Sequence, residues 1–241
     1  MSLLGDEVSR YLDGKSRISN EMLEELAYNY IKENHIEDYV KTININNKVD
    51  TMGQYNYDSC SLSINPEKNY NINRREIRNN AFQLCCSDKK IDLDIRVLHV
   101  LFHELTHAKQ NFIKNEENNE LSSIIKNENI LAENNIYAYH DFHDKFIIEY
   151  NANMEGYLEI MKLLESNSIN LNRIQTLAQY YFLSQYNVED NKIISPYEWM
   201  TYVFGLDYVD TSNLSFDKKI LYGLPLGKDK YEDVKQKLKA S

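Results

Sequence analysis

The stretch VLHVLFHELTHAKQNF at residues 97–112 carries three of the chain's six histidines, each four positions from the next. Four residues advance an α-helix by about 400°, so the three imidazoles lie on one side of a helix. The apolar residues between them recur at helical spacing, which predicts a buried and rigid helix. We expect this helix to begin at Asp92 or Asp94, because a short polar side chain can cap its first turn.

The residues His103-Glu104-Leu105-Thr106-His107 fit the pattern H-E-x-x-H. At this spacing the two imidazoles can converge on a tetrahedral metal ion, and Zn²⁺ is the metal that such a pair favours. Glu104 lies beside the first ligand, where it reaches a water at the metal rather than the metal itself. The pattern predicts one Zn²⁺ per chain with His103 and His107 as ligands and Glu104 as the general base. The opposing interpretation is a helix with hydrogen-bonded histidines, and that role is predicted for His99.

A zinc peptidase needs a third protein ligand, and the sequence around the motif narrows the choice. The astacin and matrix-protease pattern requires a glycine at position 110 and a histidine at position 113, where this chain has Gln110 and Ile113. That group is therefore disfavoured. Downstream, IIEYNANMEGYLE at residues 147–159 places Glu149 in an E-x-x-A-N pattern on a separate predicted helix.

The combination of HELTH with this downstream pattern resembles the gluzincins, zinc peptidases whose third ligand is a glutamate on a helix that follows H-E-x-x-H. The resemblance implies that Glu149 completes the zinc site of His103 and His107, with Glu104 as the base. The family often shows E-x-x-A/S-D, and Asn153 stands where that aspartate would be. From there its amide oxygen would orient a ligand imidazole.

The strand-like SLSIN at residues 61–65 and HELTHAKQ at residues 103–110 also resemble small bacterial metallopeptidases of the ImmA/IrrE type, which are associated with mobile elements. This resemblance covers about residues 50–165 and does not account for the C-terminal third. Other side chains compete for the role of third ligand, namely Glu155 and Glu159 on the same helix and His140, His143 and Asp144 in YHDFHDKF. His140 and His143 can alternatively form a second metal site or an ordinary polar surface. A zinc peptidase also needs a donor for the oxyanion, for which His143 is the predicted residue; His140, Tyr139 and Tyr150 are the alternatives.

Hydrophobic periodicity predicts a mostly helical α+β fold with a small antiparallel sheet and a helical C-terminal third, and the resemblance to the gluzincins implies that this fold is zincin-like. We expect a catalytic region over residues 1–165 and a helical region over 166–241, which can belong to one domain. Residues 114–135 are highly polar and predict an exposed loop or a weakly held helix. The predicted strands cover 41–46 and 61–65, and the predicted helices cover 19–34, 73–86, 144–165 and 172–186. Ser19 or Asn20 is expected to cap the first of these helices, and Ser195 and Glu198 are expected to form a capping box at the start of another helix, with Pro196 at its first position.

Composition restricts the classes of partner. The chain has 241 residues with 27 Lys and Arg against 37 Asp and Glu, and the resulting charge of −10 disfavours nucleic acid and anionic membranes. The N-terminus lacks the pattern of a secretory signal, and Cys60, Cys85 and Cys86 do not form a disulfide framework. These features predict a cytoplasmic protein without a membrane or nucleic-acid partner.

The predicted function is hydrolysis of a peptide bond in an intracellular protein or peptide. The strand at 61–65 is expected to be an edge strand that aligns the substrate; the alternative is that it is only a strand of the sheet. The alternative is a non-catalytic interaction protein on a zincin-like scaffold, either zinc-binding or metal-free. An intact Glu104 argues against a decayed enzyme, and the sequence does not identify the substrate or the oligomeric state.

Overall fold

The computed structural model describes residues 17–70, 89–164, 169–189 and 192–237. The predicted helix at 73–86, with Cys85 and Cys86, lies outside these ranges. The first described helix, α1 (Asn20–Glu33), confirms the prediction for 19–34, because the Ser19 hydroxyl accepts the N–H of Met22 as an N-cap. Its apolar face, including Leu23 and Leu26, is buried in the main core.

A three-stranded sheet follows, and it is mixed rather than antiparallel as predicted. The strands are β1 (Thr42–Ile45), β2 (Gly53–Asn56) and β3 (Ser61–Ile64), in the spatial order β1-β3-β2. β1 runs parallel to β3, whereas β2 runs antiparallel to it. β3 is therefore the central strand, and the prediction of a substrate-aligning edge at 61–65 is wrong: among the strands of the described ranges, the edges are β1 and β2.

After α2 (Pro66–Tyr70), the H-E-x-x-H stretch lies on the long helix α3 (Lys89–Glu116). Asp92 and Asp94 lie inside this helix, so the predicted start was wrong. The apolar positions behave as expected, because Leu98, Leu101 and Leu105 are fully buried. Their burial fixes the helix against the core and holds the histidines on a rigid support.

Residues 114–135 confirm the helical alternative of the prediction, but the helix is neither exposed throughout nor weakly held. They contain a packed helix, α4 (Glu120–Asn134), whose N-terminus is closed by a reciprocal capping box between Asn119 and Ser122. Leu121, Ile124 and Ile125 are buried against a second apolar cluster, since their i, i+3, i+4 spacing places them on one face. The segment is polar in overall composition, but these three residues are enough to form an apolar stripe along the helix.

The third-ligand candidates lie on α5 (Ile136–Phe142), a short 3₁₀ turn (His143–Lys145) and α6 (Ile147–Leu163). Helices α3 and α6 make the most extensive contact between described helices. Gly156 permits this contact, because a Cβ at that position would come within 2.9 Å of the His99 ring. The two helices that carry the predicted ligands are thus held side by side.

The remaining chain is mostly helical, as predicted. Ser195 forms the predicted capping box with Glu198, and Gly223 adopts a left-handed conformation (φ 58°) two residues beyond the helix Phe216–Leu221. Position 165 is the boundary between the two predicted regions, and buried residues before and after it belong to the same main core. None of the helices in the described ranges is both long and apolar enough to cross a bilayer. These elements are α7 (Ile169–Gln185), β4 (Asn187–Glu189), β5 (Lys192–Ile194), α8 (Pro196–Phe204), α9 (Phe216–Leu221) and α10 (Lys228–Lys237).

Candidate metal centre

The structure brings His103, His107 and Glu149 together. The Nε2 atoms of the two histidines are 3.1 Å apart, and Glu149 Oε2 lies 3.4 Å from that of His103 and 3.7 Å from that of His107. One potential ligand atom from each residue lies within 4.8 Å of the others, a spacing that can hold a metal ion. The two histidines come from successive turns of α3, and Glu149 comes from the first turn of α6.

Two amide side chains determine which ring nitrogen of each imidazole carries the proton. Asn153 Oδ1 lies 3.2 Å from His103 Nδ1, and Gln110 Oε1 lies 2.9 Å from His107 Nδ1. Because an amide oxygen only accepts, each Nδ1 donates and each Nε2 presents its lone pair to the centre. Asn153 therefore has the contact that was predicted for it, whereas the contact between Gln110 and His107 was not predicted.

Glu149 has one satisfied and one unsatisfied oxygen. Oε1 accepts a hydrogen bond from Tyr139 Oη at 2.8 Å and lies 3.3 Å from His143 Nε2. Oε2 is buried and makes no hydrogen bond within the described part of the chain. Burial opposes its ionisation, but the neighbouring imidazoles of His107, His103 and His143 lower the pKa of Glu149 well below its usual range.

This arrangement fits a divalent cation. Two imidazole lone pairs and an unpartnered carboxylate oxygen face one point, where they repel one another unless positive charge lies between them. Although burial opposes it, the contact with Glu149 and the charge of Glu104 raise the pKa of His103, so the surrounding carboxylates favour positive charge at this point. Two His nitrogens and one Glu oxygen form a common donor set of catalytic zinc sites.

Glu104 lies beside this group and is not one of its three members. Its Oε2 accepts the backbone N–H of Tyr55 on the edge strand β2 at 2.8 Å. The close approach requires Gly53, because a Cβ there would come within 2.5 Å of Val100 and 2.9 Å of Glu104. A glycine inside a strand is a known signal of such backbone approach, but β2 itself was not predicted.

Tyr57 is a second neighbour that the sequence did not reveal. It follows β2, and its ring centroid lies 6.3 Å from that of His107. Burial and the charges of Glu149 and Glu104 raise the pKa of Tyr57, so its hydroxyl keeps its proton at neutral pH. Nothing in the sequence TMGQYNY distinguishes this tyrosine from its neighbours.

The rival ligands on α6 make other interactions. Glu155 pairs with Lys109 at 2.6 Å, and Glu159 pairs with Lys162 one turn along the helix. Neither carboxylate belongs to the three-residue group. Their positions along the helix explain the difference. Glu149 and Asn153 are four residues apart and share one face of α6, whereas Glu155 and Glu159 do not fall on that face.

The other polar candidates divide into those near the centre and those away from it. His140 is exposed, and the side chain of Asp144 lies outside the described part of the chain. Tyr150 is buried and donates its hydroxyl to the carbonyl of Ile220, so its candidacy as an oxyanion donor is wrong. His143 contacts Glu149, and its side chain is 43% exposed, so it remains accessible from solvent.

His99 has the structural role that was predicted. Its Nε2 lies 3.1 Å from the backbone oxygen of Asn153, and it is not a member of the candidate metal group. Burial and the neighbouring His103 lower the pKa of His99 to about 3, so it stays neutral. It stabilises the contact between α3 and α6 instead of contributing a ligand.

Glu128 on α4 closes the first turn of α6. Its two oxygens accept the backbone N–H groups of Ile147 at 2.9 Å and Ile148 at 3.0 Å, while the N-cap residue Phe146 supplies no side-chain bond. The first turn of a helix needs such acceptors. The helix that was predicted to be weakly held thus supports the segment that carries Glu149.

Glu128 also predicts a pH dependence of stability. Burial raises the pKa of its carboxyl to about 8, although the two backbone donors favour the charged form. Between about pH 5 and pH 8 the folded chain therefore binds a proton that the unfolded chain has released, so the free energy of unfolding falls as the pH rises. We expect the stability advantage of the wild type over Glu128→Gln to shrink across this window, by at most about 1.4 kcal/mol per pH unit.

Urea unfolding at pH 5, 6, 7 and 8 measures this difference. Glu133→Gln, a change at an exposed position of the same helix, is the control and should show a difference that does not vary with pH. A constant difference for Glu128→Gln as well would mean that the carboxyl is already ionised at pH 5.

The centre therefore combines three convergent donors, an adjacent carboxylate and an edge strand. Glu104 can accept a proton from a water beside the three donors, and His143 and Tyr139 can donate hydrogen bonds near the same point. Such a set of groups is suited to hydrolysis of a carbonyl compound. Comparisons of the chain with known protein families, with curated proteins and with solved structures found no match.

Proposed function

We propose that this protein is a zinc metallopeptidase of zincin-like fold that hydrolyses a peptide bond in a protein or peptide. The observation that carries the proposal is the convergence of His103, His107 and Glu149, with Oε2 of Glu149 buried and unpartnered. Glu104 lies next to these donors without joining them, which is the position of a general base.

His103, His107 and Glu149 would hold the zinc, which supplies Lewis acidity that polarises a substrate carbonyl and lowers the pKa of water towards about 7. Glu104 accepts a proton from the attacking water and transfers it to the nitrogen of the leaving amine. Asn153 and Gln110 keep the two imidazoles in the tautomer that presents Nε2. Each of these roles depends on a contact made by residues of this chain.

The oxyanion of the tetrahedral intermediate needs a hydrogen-bond donor, and His143 is the proposed residue. It lies beside Glu149 and is open to solvent, so a substrate can reach it. Tyr139 is the second candidate, since burial and the charge of Glu149 raise the pKa of its hydroxyl and keep it protonated. Both side chains contact the same oxygen of Glu149, and a substrate would compete for these hydrogen bonds.

The edge strand β2 replaces residues 61–65 as the proposed substrate-aligning strand. Its backbone N–H at Tyr55 points towards Glu104, away from the partner strand β3. An extended peptide added at this edge would lie next to the base. A cytoplasmic location and the absence of nucleic-acid and membrane partners remain predictions that rest on composition.

The proposal is tested with the zinc-loaded chain and a proteome-derived peptide library. Mass spectrometry of new amino termini should detect cleavage that a chelator stops and that added zinc restores. Elemental analysis of the same sample should give about one zinc per chain. A folded, metal-replete sample without zinc contradicts the proposal, whereas tight zinc binding without cleavage favours the non-catalytic alternative.

A further inference from the structure

Gln110 links one candidate ligand to the backbone of the helix that carries another. It lies on α3 one turn after His107, and its side chain is buried. Its Oε1 lies 2.9 Å from His107 Nδ1, and its Nε2 donates to Ile148 O at 2.7 Å and to Asn151 Oδ1 at 2.8 Å. Both polar atoms of the amide are therefore hydrogen-bonded. Its oxygen accepts from a residue of α3, and its NH₂ group donates to two oxygen atoms on α6.

The orientation of this amide follows from its partners. The carbonyl of Ile148 can only accept, so it must face the NH₂ group of Gln110, and the amide oxygen must then face His107. His107 consequently carries its proton on Nδ1 and presents Nε2 to Glu149. A flipped amide would set an oxygen against the Ile148 carbonyl, and burial makes such an unpaired contact costly.

The backbone contact lies immediately before Glu149. Gln110 holds the carbonyl of Ile148, and Glu128 holds the N–H of the same residue. The peptide units that lead into Glu149 are thereby fixed from two sides. A second link runs in the opposite direction, because Asn153 on α6 reaches back to His103 on α3.

We infer that Gln110 is a positioning residue that sets both the tautomer of His107 and the separation between α3 and the first turn of α6, and thereby the affinity of the centre for a metal ion. The inference rests on the proposed metal site and extends it to a residue that contacts no metal itself. Loss of a hydrogen-bond partner of this kind lowers metal affinity by roughly 10–100-fold.

The test compares Gln110→Met with Asn111→Ala. Met preserves the length and bulk of the Gln110 side chain but makes none of its hydrogen bonds. Asn111 is also buried on α3, but it donates to Tyr55 Oη instead of contacting the ligands. The dissociation constant for Zn²⁺ is measured by competition with a chromophoric chelator, and the visible absorption of the Co²⁺ form reports the geometry at the metal.

We expect Gln110→Met to weaken Zn²⁺ binding by roughly 10–100-fold and to alter the Co²⁺ bands, whereas Asn111→Ala should stay within about twofold of the wild type with unchanged bands. Equal zinc affinity and identical bands in Gln110→Met would overturn the inference while leaving the metallopeptidase proposal intact. A wild-type chain that binds no zinc would overturn both.

Gln110→Glu provides a second variant if Gln110→Met does not fold. A carboxylate accepts the Nδ1 proton of His107 but cannot donate to the carbonyl of Ile148. We expect altered Co²⁺ bands in this variant, because the link to α6 is lost while the tautomer is kept. Wild-type bands and wild-type zinc affinity would show that the link has no influence on the centre and would overturn the inference.

Discussion

Replacing Glu104 by Gln should lower the kcat of peptide hydrolysis by about 10²–10⁴-fold and leave about one zinc bound per chain. Gln has the shape of Glu but cannot accept a proton at neutral pH, so the variant loses the base and keeps the packing. Metal binding should persist because Glu104 lies outside the group formed by His103, His107 and Glu149. The oxygen of Gln can still accept the N–H of Tyr55, which keeps β2 in place.

The measurement pairs cleavage rates on the best peptide from the library with elemental analysis of the same preparations. Glu133→Gln makes the same chemical change at an exposed site on α4 and should retain the wild-type rate. Undiminished hydrolysis in Glu104→Gln would exclude this residue as the base. Loss of zinc in that variant would instead make Glu104 a ligand and would require a different assignment of the centre.

Local spacing was sufficient to predict the two histidines and their helix. The interval of four residues between His103 and His107 depends only on helical geometry, and the apolar residues around them ensure that the helix forms. The cap at Ser19 and the capping box at Ser195 were also predictable, since each involves residues within one turn. These features need no knowledge of the rest of the chain.

The errors arose where tertiary contacts override local composition. The strand β2 has the sequence GQYN, in which Gly53 and Asn56 are residue types that favour turns, and only Tyr55 is buried. It forms because β3 pairs with it and because Gly53 permits close contact with α3. Similarly, α4 is stabilised by burial of three apolar side chains that a count of its polar residues does not reveal.

The contacts that hold the candidate ligands were the hardest to predict. Gln110 bonds to Ile148 and Asn151, which are far away in the sequence, and no short pattern encodes such a pairing. The family resemblance drew attention to Asn153, and its spacing of four residues from Glu149 indicated that its amide oxygen could orient a ligand imidazole. A single sequence thus predicts residues that share a helix turn better than residues that meet between helices.

Removing any one of the three predicted ligands should abolish stoichiometric zinc binding. We expect His107→Ala and Glu149→Gln each to retain far less than one zinc per chain after dialysis, because two remaining donors cannot complete a protein site of three. The loss should also appear in stability. Zinc at 100 times its dissociation constant adds about 2.7 kcal/mol to the wild type, or roughly 5–10 °C in Tm for a chain of this size, and it should add almost nothing to the variants.

Glu155→Gln is the matched control for Glu149→Gln, because both remove a buried carboxylate from α6 and Glu155 was a rival for the third ligand. This variant leaves Lys109 without its partner, so we expect lower stability but a full zinc content and an undiminished rise in Tm on zinc addition. The reverse pattern, with zinc lost from Glu155→Gln and kept by Glu149→Gln, would assign the third ligand to Glu155. Because the Oε2 atom of Glu149 lies 3.4 Å and 3.7 Å from the two histidine nitrogens while Glu155 is paired elsewhere, the geometry favours Glu149.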